Sequence, residues 1–268
     1  MKLSIAIASA NALPNAFVVF RGFEESILNA AELGYDGIEL ALKNAGEIDR
    51  RMLQSLLDKT GLEVSCVSTG QVFAETGLMF TDSDAEKRKE VVRIFREFVD
   101  LAADFGQLVN IGRVRGSIAE DGIDAAEQRF IEIIHELCDY ASTKGVQFIL
   151  EPVNRYEINF IHSVEEGVSL IKKVDRSNLK LMPDIFHMNI EDVNMGEELS
   201  SNIDHIAYIH LADSNRLAPG WGHTDFKDIL SHLKKAKYDG WLSVEILPKP
   251  EPYSAAKQAI EFIKPFLN

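Results

Sequence analysis

The chain has 268 residues, of which 46% are hydrophobic, and 42 acidic against 28 basic residues give it a net charge of −14. This length suits one large barrel domain, and the negative charge opposes binding to nucleic acid or to an anionic membrane surface. No apolar run approaches the roughly 18–20 residues that span a bilayer, so we expect a cytoplasmic protein that binds neither nucleic acid nor membrane.

Strand and helix patterns alternate along the whole chain. Short apolar runs predict the strands, and amphipathic segments that often end at a glycine predict the helices. In chain order, the predicted elements are strand 3–8, helix 23–33, strand 36–41, helix 49–59, strand 62–67, helix 84–105, strand 108–111, helix 125–142, strand 146–150, helix 164–174, strand 179–182, a short helix at 195–202, strand 206–209, helix 226–235, strand 241–244 and helix 253–266.

Eight strands alternating with eight helices indicate one parallel sheet, and eight repeats favour closure into a (β/α)8 TIM barrel over residues 1–268 as a single catalytic domain. The alternative is an open Rossmann-like sheet, but no Gly-x-Gly-x-x-Gly motif follows the first strand. The longest predicted loops follow strands at their carboxyl ends, where barrel enzymes build their sites. These loops are 9–20, 68–82, 187–194 and 212–224.

Cys66 and Cys138 are the two cysteines, and both stand in apolar segments. Two isolated thiols favour neither a disulfide framework nor a zinc cluster. We expect both to be small buried side chains in a reducing compartment.

Four consecutive predicted strands each end in a side chain that can bind a divalent metal. These residues are Glu151, Asp184, His210 and Glu245, separated by 33, 26 and 35 residues. In a barrel they would be neighbours at one rim, where three carboxylates and an imidazole would repel one another without a cation. The largely oxygen donor set suits Mn²⁺, Mg²⁺ or Co²⁺ better than a structural zinc. For any one residue alone, a helix cap or a solvated strand end is an equal alternative.

Further polar side chains follow these strand ends. His187 stands three residues after Asp184, and Arg216 stands six residues after His210. Their positions beside the predicted ligands favour contact with substrate. His223 lies in a glycine-flanked loop before the helix at 226–235, and we expect it to have a structural role.

Four motifs in the second half of the chain resemble the D-tagatose 3-epimerase and D-psicose 3-epimerase group of xylose isomerase-like barrels. The motifs are EPVNRYE at 151–157, DIFHMNIE at 184–191, HLADSNR at 210–216 and PGWGH at 219–223. The resemblance implies that the four strand-end residues bind one divalent metal, Mn²⁺ first, with Co²⁺, Mg²⁺ and Zn²⁺ as alternatives. It also implies a homodimer or homotetramer.

The same resemblance implies a reaction and a set of roles. Glu151 and Glu245 would invert C3 of a ketose by transferring a proton through an enediolate. Glu157, His187 and Arg216 would hold substrate oxygens. The physical logic agrees, because inversion at one carbon requires a base on one face and an acid on the other, and a Lewis acid stabilises the enediolate.

The chain departs from these sugar epimerases after the fourth strand, where they usually carry an aromatic residue. Here the sequence continues with Arg113 and Arg115. One interpretation is a pair of surface or capping charges; the other is a clamp for a substrate carboxylate, because guanidinium groups bind carboxylates bidentately. A subset of the group that acts on 5-keto-L-gluconate is similar here and at residues 68–71 (STGQ). The substrate would then be a keto-sugar acid.

Other functions on this fold remain open. Another isomerase (ketose–aldose or hydroxypyruvate type) or a lyase of the inosose dehydratase type would use the same chemistry at a carbon beside a carbonyl. An apurinic-site endonuclease is disfavoured because the early strand ends offer no further metal ligands and the net charge opposes DNA. A non-catalytic sugar-binding barrel would tolerate the loss of a ligand, yet all four are present.

Overall fold

Eight parallel strands form the inner ring of the protein, and helices surround them. The computed structural model describes residues 1–14 and 16–267. The strands of the ring are β1 (Lys2–Ala8), β2 (Gly37–Ala41), β3 (Glu63–Ser68), β4 (Leu108–Ile111), β5 (Gln147–Leu150), β6 (Leu179–Leu181), β7 (Tyr208–Leu211) and β8 (Trp241–Val244). The hydrogen-bonded order runs β6-β5-β4-β3-β2-β1-β8-β7, so the sheet follows the chain order around the barrel. The predicted TIM-barrel fold is confirmed.

The ring closes between β6 and β7. These two strands are joined, among the described residues, by two isolated parallel bridges, Leu181 with Ile206 and Asp184 with His210. The other neighbouring strands form ladders of different lengths, from one paired position between β3 and β4, Val67 with Val109, to five between β1 and β2. The seam of the barrel therefore passes between two of the predicted metal ligands.

Ten α-helices are present in the described part of the chain. They are α1 (Phe23–Leu33), α2 (Arg50–Thr60), α3 (Gly70–Thr76), α4 (Ala85–Asp104), α5 (Ile123–Ser142), α6 (Val164–Val174), α7 (Ile185–Glu191), α8 (Met195–Ser201), α9 (Phe226–Lys235) and α10 (Pro252–Ile263). The predicted end of α1 is confirmed at Gly34, whose φ of 84° is left-handed and favours glycine. Asp49 caps the start of α2 by accepting hydrogen bonds from two backbone amides.

Two parts of the prediction are wrong. Helices α3 and α7 lie within stretches that the sequence pattern assigned largely to loops, because each is too short to show a full amphipathic period. Strand β7 begins two residues later than predicted, so His210 lies inside the strand rather than at its end.

The core follows from strands that are buried on both faces. Six of the seven residues of β1 are buried, as expected for a parallel strand covered by helices outside and by barrel side chains inside. Both cysteines are buried and free, as predicted. No helix in the described ranges is long and apolar enough to cross a membrane.

A segment after β1 lies over the carboxyl ends of the strands, and we call residues 9–14 and 16–19 the lid. Arg21 donates hydrogen bonds to the backbone carbonyls of Ala12 and Leu13. Gln71 accepts a hydrogen bond from the Leu13 amide and donates one to the Ala41 carbonyl. These contacts fasten the lid to β2 and α3 at the rim where the candidate site lies.

Candidate metal and active site

The four predicted metal ligands converge at one end of the barrel. Glu151, Asp184, His210 and Glu245 each present one ligand atom, and these four atoms lie within 4.8 Å of one another. Nδ1 of His210 lies 3.5 Å from Oε1 of Glu151 and 3.5 Å from Oε2 of Glu245. Oδ2 of Asp184 is 3.7 Å from the same nitrogen. The spacing of the strand ends in the sequence thus produces one cluster in space.

This cluster fits a divalent cation. The Nδ1 atom of His210 is buried and has no hydrogen-bond partner in the described chain, although it faces the three carboxylates. A buried polar atom is normally satisfied, so an unpartnered nitrogen that faces three oxygens is what a ligand position would show. Carboxylate oxygens with one imidazole suit Mn²⁺, Mg²⁺ or Co²⁺, and Zn²⁺ also accepts such donors.

Arg216 provides positive charge at the cluster. Its guanidinium donates hydrogen bonds to Oδ2 of Asp184, at 2.5 Å, and to Oε2 of Glu245. The aromatic rings of Phe17, from the lid, and Phe186, from α7, lie 4.7 and 5.0 Å from the guanidinium carbon. Arg216 is thus held by two acids and two rings, a geometry that favours a guanidinium over an ammonium.

The loop that carries Arg216 is organised by a buried carboxylate, Asp213. The side chain of Asp213 accepts hydrogen bonds from the backbone amides of Ser214, Gly220 and Thr224. Arg216 itself has a left-handed φ of 62°, and its backbone amide donates to the Asp213 carbonyl. The motif HLADSNR therefore encodes a hydrogen-bonded turn that holds Arg216 at the cluster.

Burial and neighbouring charges shift the pKa values in this cluster. Burial opposes ionisation of Asp184, but the guanidinium of Arg216 together with the imidazoles of His187 and His210 outweighs burial and holds the pKa of that carboxyl well below its usual range. Burial would lower the pKa of His210, but the carboxylates of Glu39 and Glu245 hold it well above the usual range. Burial, reinforced by the charge of Glu151, raises the pKa of Glu245. The three carboxylates of the cluster therefore repel one another, and a bound cation would reduce that repulsion.

A cavity beside the cluster separates its four residues into two pairs. Glu151 and Glu245 line the cavity, and their side chains are 10% and 17% exposed. Asp184 and His210 are 0% exposed and lie behind them. Of the four clustered residues, Glu151 and Glu245 therefore reach the space that a substrate would fill.

The other predicted substrate-binding residues of this half also reach the cavity. Its lining includes Glu157, His187 and Arg216. Asn154 places two of them, because its side-chain amide lies 2.7 Å from Nδ1 of His187 and donates to Oε1 of Glu157 at 3.2 Å. Burial lowers the pKa of His187, which favours the neutral imidazole.

The two arginines after β4 have different roles. Arg113 lines the cavity, with its guanidinium 4.0 Å from a carboxylate oxygen of Glu157 and over the ring of Phe73. Arg115 is fully buried, and its nitrogens donate to four backbone carbonyls. The prediction of a carboxylate clamp is therefore wrong for Arg115, whose donors are directed at the backbone.

The carbonyls that Arg115 binds show what it does instead. They belong to Gly112, Glu151, Phe160 and Ile161. Arg115 thus joins the turn after β4 to the loop after β5, including the backbone of a predicted catalytic residue. Burial lowers the pKa of Arg115 to about 10, so the guanidinium stays charged at neutral pH.

Sequence reasoning missed several residues that build the site. Asn154, Asp213 and Phe17 are ordinary loop residues in the sequence, and nothing in their spacing marks them. Glu39 carried one signal, because it is a carboxylate inside an apolar strand, where a charge must find a partner. His223, predicted to be structural, lies 2.9 Å from the Ser214 hydroxyl and does not belong to the four-residue cluster.

Comparison with known proteins places these features in a family. A family model described as the xylose isomerase-like TIM barrel matches residues 27–266. The L-ribulose 3-epimerase of Methylomonas sp. (strain DH-1) is 31% identical over 227 residues, which are 84% of this chain and 78% of that protein. The 3-dehydro-D-guloside 4-epimerase of Escherichia coli (strain K12) is 24% identical over 258 residues, which are 90% and 95% of the two chains.

A solved structure of a carbohydrate epimerase is also similar to this chain. The structure of D-allulose 3-epimerase from Methylomonas sp. in complex with D-allulose matches with a TM-score of 0.84 and 25% identity, covering 99% of this chain and 96% of that one. The likeness therefore extends over nearly the whole barrel, and these three proteins are named as carbohydrate epimerases.

Proposed function

The chain belongs to the xylose isomerase-like TIM barrel family and is an enzyme of the isomerase class that epimerises a carbohydrate; from that premise we propose that it is a metal-dependent epimerase of a ketose or keto-sugar acid. The proposed reaction inverts C3 by moving a proton between the two faces of that carbon. Glu151 and Glu245 are the proposed catalytic pair.

One observation carries the proposal. Of the four clustered residues, Glu151 and Glu245 are the two that line the cavity, and they directly follow strands β5 and β8, with β6 and β7 between them. A substrate carbon held between them would have a carboxylate available on each side. That arrangement suits inversion, because one group takes the proton and the other returns one to the opposite face.

The proposed metal ligands are Glu151, Asp184, His210 and Glu245. A divalent cation held there, Mn²⁺ first and Co²⁺, Mg²⁺ or Zn²⁺ as alternatives, would polarise the substrate carbonyl and stabilise the negative charge that develops beside it. Dialysis against a chelator should abolish turnover of the ketose, and Mn²⁺ should restore it. Full activity of protein shown to be metal-free by elemental analysis would contradict this part of the proposal.

The chain's own groups orient the substrate. Glu157, His187 and Arg216 line the cavity and present a carboxylate, an imidazole and a guanidinium to sugar hydroxyl or carbonyl oxygens. Asn154 and Asp213 hold these groups in place. The lid excludes water from above through Leu13, Ala16, Phe17 and Val18. Exclusion of water strengthens each of these polar contacts.

In this proposal, Arg113 determines whether the enzyme prefers a neutral or an acidic substrate. It is a cavity-lining arginine after β4, and a substrate carboxylate could replace its distant partner Glu157. Turnover of a ketohexose and of a keto-uronate should be compared in the wild type and in Arg113→Ala. If the substrate is acidic, the variant should lose about 10- to 100-fold in kcat/KM on the keto-uronate alone. A wild-type preference for the ketohexose would contradict the acidic substrate.

The two-glutamate mechanism has a crossed isotope test in D2O. With Glu245 intact, Glu151→Gln should exchange the C3 proton of one epimer for deuterium without producing the other epimer. Glu245→Gln should do the same with the opposite epimer. The Mn²⁺ content of each variant must be measured, because both residues are also proposed ligands. Exchange of the same epimer by both variants would contradict the opposed pair.

A second candidate is inversion at C4 of a 3-keto sugar. The 4-epimerase from E. coli, which the chain matches over 95% of that protein, favours it. The chemistry is shared, because both reactions remove a proton from the carbon next to a ketone. The position of deuterium incorporated from D2O, at C3 or at C4, separates the two, and loss of water from the product would indicate a dehydratase instead.

Assembly and location belong to the same proposal. The family resemblance supports a homodimer or homotetramer of one catalytic domain, residues 1–268, in the cytoplasm. Light scattering coupled to size-exclusion chromatography would measure the assembly, and a monomeric mass would contradict it.

A further inference from the structure

A further acidic residue lies inside the barrel beside the proposed metal site. Glu39 is in β2, three strands around the ring from β7, and its side chain is fully buried. Its two carboxylate oxygens lie 3.1 and 3.0 Å from Nε2 of His210. The imidazole therefore has Glu39 at one nitrogen and the cluster of three acids at the other.

The buried position of Glu39 does not by itself stabilise the fold. A buried carboxylate is strongly destabilising unless it is paired and hydrogen-bonded. Its hydrogen-bond partners include His210 and the hydroxyl of Tyr208, which donates to it at 3.0 Å. Tyr208 in turn lies 2.7 Å from the hydroxyl of Ser65 and 3.1 Å from that of Ser4. A polar network thus crosses the barrel interior and ends at the imidazole.

We propose that Glu39 is a positioning residue for the metal. It accepts the proton on Nε2 of His210, which fixes the tautomer, holds the ring and leaves Nδ1 free to bind the cation. Nδ1 is the atom that has no hydrogen-bond partner and faces Glu151, Asp184 and Glu245. The inference rests on the proposed function, because it assigns Glu39 a purpose only if His210 binds a metal.

The carboxylate has two consequences for the ligand. It orients the imidazole without strain at the ligand nitrogen, and its negative charge makes that nitrogen a stronger donor. A neutral acceptor such as an amide oxygen would supply the orientation without the charge. Comparing the two therefore separates the contributions of geometry and charge.

The test measures metal binding in the full-length protein, independently of activity. Mn²⁺ affinity should be measured by competition with a chelator for wild type, Glu39→Gln, Glu39→Ala and Tyr208→Phe. We expect affinity about 10-fold weaker in Glu39→Gln and about 100-fold weaker in Glu39→Ala. Tyr208→Phe keeps the contact between Glu39 and His210, so its affinity should stay within about 3-fold of wild type.

A spectroscopic readout distinguishes positioning from support of the fold. The visible absorption of the Co²⁺-loaded protein reports the donor strength of the ligands, so it should shift in Glu39→Gln and stay unchanged in Tyr208→Phe. Circular dichroism of each metal-free variant checks the fold, and Glu39→Gln carries the test if Glu39→Ala does not fold. Wild-type affinity and an unshifted Co²⁺ spectrum in Glu39→Gln would overturn the inference. Failure of the wild type itself to bind Mn²⁺ would overturn the metal proposal as well.

Discussion

The carboxyl ends of β5–β8 and those of β1–β4 build the two sides of the site in different ways. Strands β5–β8 lead to the acids and the imidazole of the metal cluster. The ends of β1–β4 contribute the small residues Ala41, Ser68 and Gly112 to the cavity, together with the guanidinium of Arg113 and the lid. In the proposed mechanism the first side supplies the reacting groups, and the second supplies shape, cover and a group that contacts the substrate.

The second side also supports the first through buried contacts. Arg115, after β4, binds the backbone of Glu151, and Glu39, on β2, binds His210. Reactive and supporting groups are thus divided between the two sides, so substitutions on the supporting side should disturb chemistry that occurs on the other.

The largest effect is expected where that support is removed entirely. Arg115→Ala leaves four buried backbone carbonyls without their donors, and each unsatisfied group costs roughly 1–3 kcal/mol before water enters the space. We expect the free energy of unfolding to fall by about 3–5 kcal/mol, measured by urea denaturation.

Arg96→Ala is the matched control, because Arg96 forms an exposed ion pair with Glu136 and should change stability by under about 1 kcal/mol. If the two variants unfolded at the same urea concentration, Arg115 would not join the two sides.

An intermediate effect is expected at the lid. Phe17→Ala removes an aromatic ring from Arg216 and part of the apolar cover. A cation–π contact contributes about 0.5–2 kcal/mol, so kcat/KM should fall by about 10-fold while the free energy of unfolding changes little. The control is Leu28→Ala, an exposed apolar residue on α1. Equal kinetics in both variants would show that the lid is only a cover.

The smallest effect is expected for an acidic residue on the β5–β8 side that does not belong to the metal cluster. Asp192, after α7, is partly buried, and burial raises its pKa to about 7. In the unfolded chain the value is about 3.9, so the folded state binds the proton more tightly and stability falls as pH rises from about 4 to about 7. Asp192→Asn should therefore raise the free energy of unfolding by about 1–2 kcal/mol at pH 8, since partial exposure reduces the full effect.

At pH 4 most of the gain from Asp192→Asn should disappear, because the wild-type side chain is then protonated in the folded state and about half protonated in the unfolded state. Denaturation at the two pH values measures the difference, with Asp239→Asn, an exposed residue between α9 and β8, as the control. A gain of equal size at both pH values would show that the side chain's charge is not the cause.

The reactive side could be predicted from the sequence because its signals are local. An apolar run that ends in a charged residue marks both the strand and its end, so Glu151, Asp184 and Glu245 were found without knowledge of the fold. His210 was found in the same way, although β7 extends past it. The order of the strands then followed from the alternation of elements.

The supporting side could not be predicted in the same way because its contacts join residues far apart in the chain. The contact between Glu39 and His210 spans 171 residues, and that between Arg115 and Ile161 spans 46. The sequence does not distinguish an arginine that faces a substrate from one that binds backbone carbonyls. It therefore predicts one role for Arg113 and Arg115, and only the three-dimensional arrangement separates them.

A cation at the proposed site would also affect the stability of the seam between β6 and β7. Among the described residues, two isolated β-bridges join these strands, and one of the bridges pairs Asp184 with His210. A cation bound by these two side chains would cross-link the strands beside their backbone bridge and fasten the ends of the sheet together. Loading of the metal would then slow amide hydrogen exchange along the seam more than elsewhere in the barrel, because the bound cation would stabilise the closure of the ring.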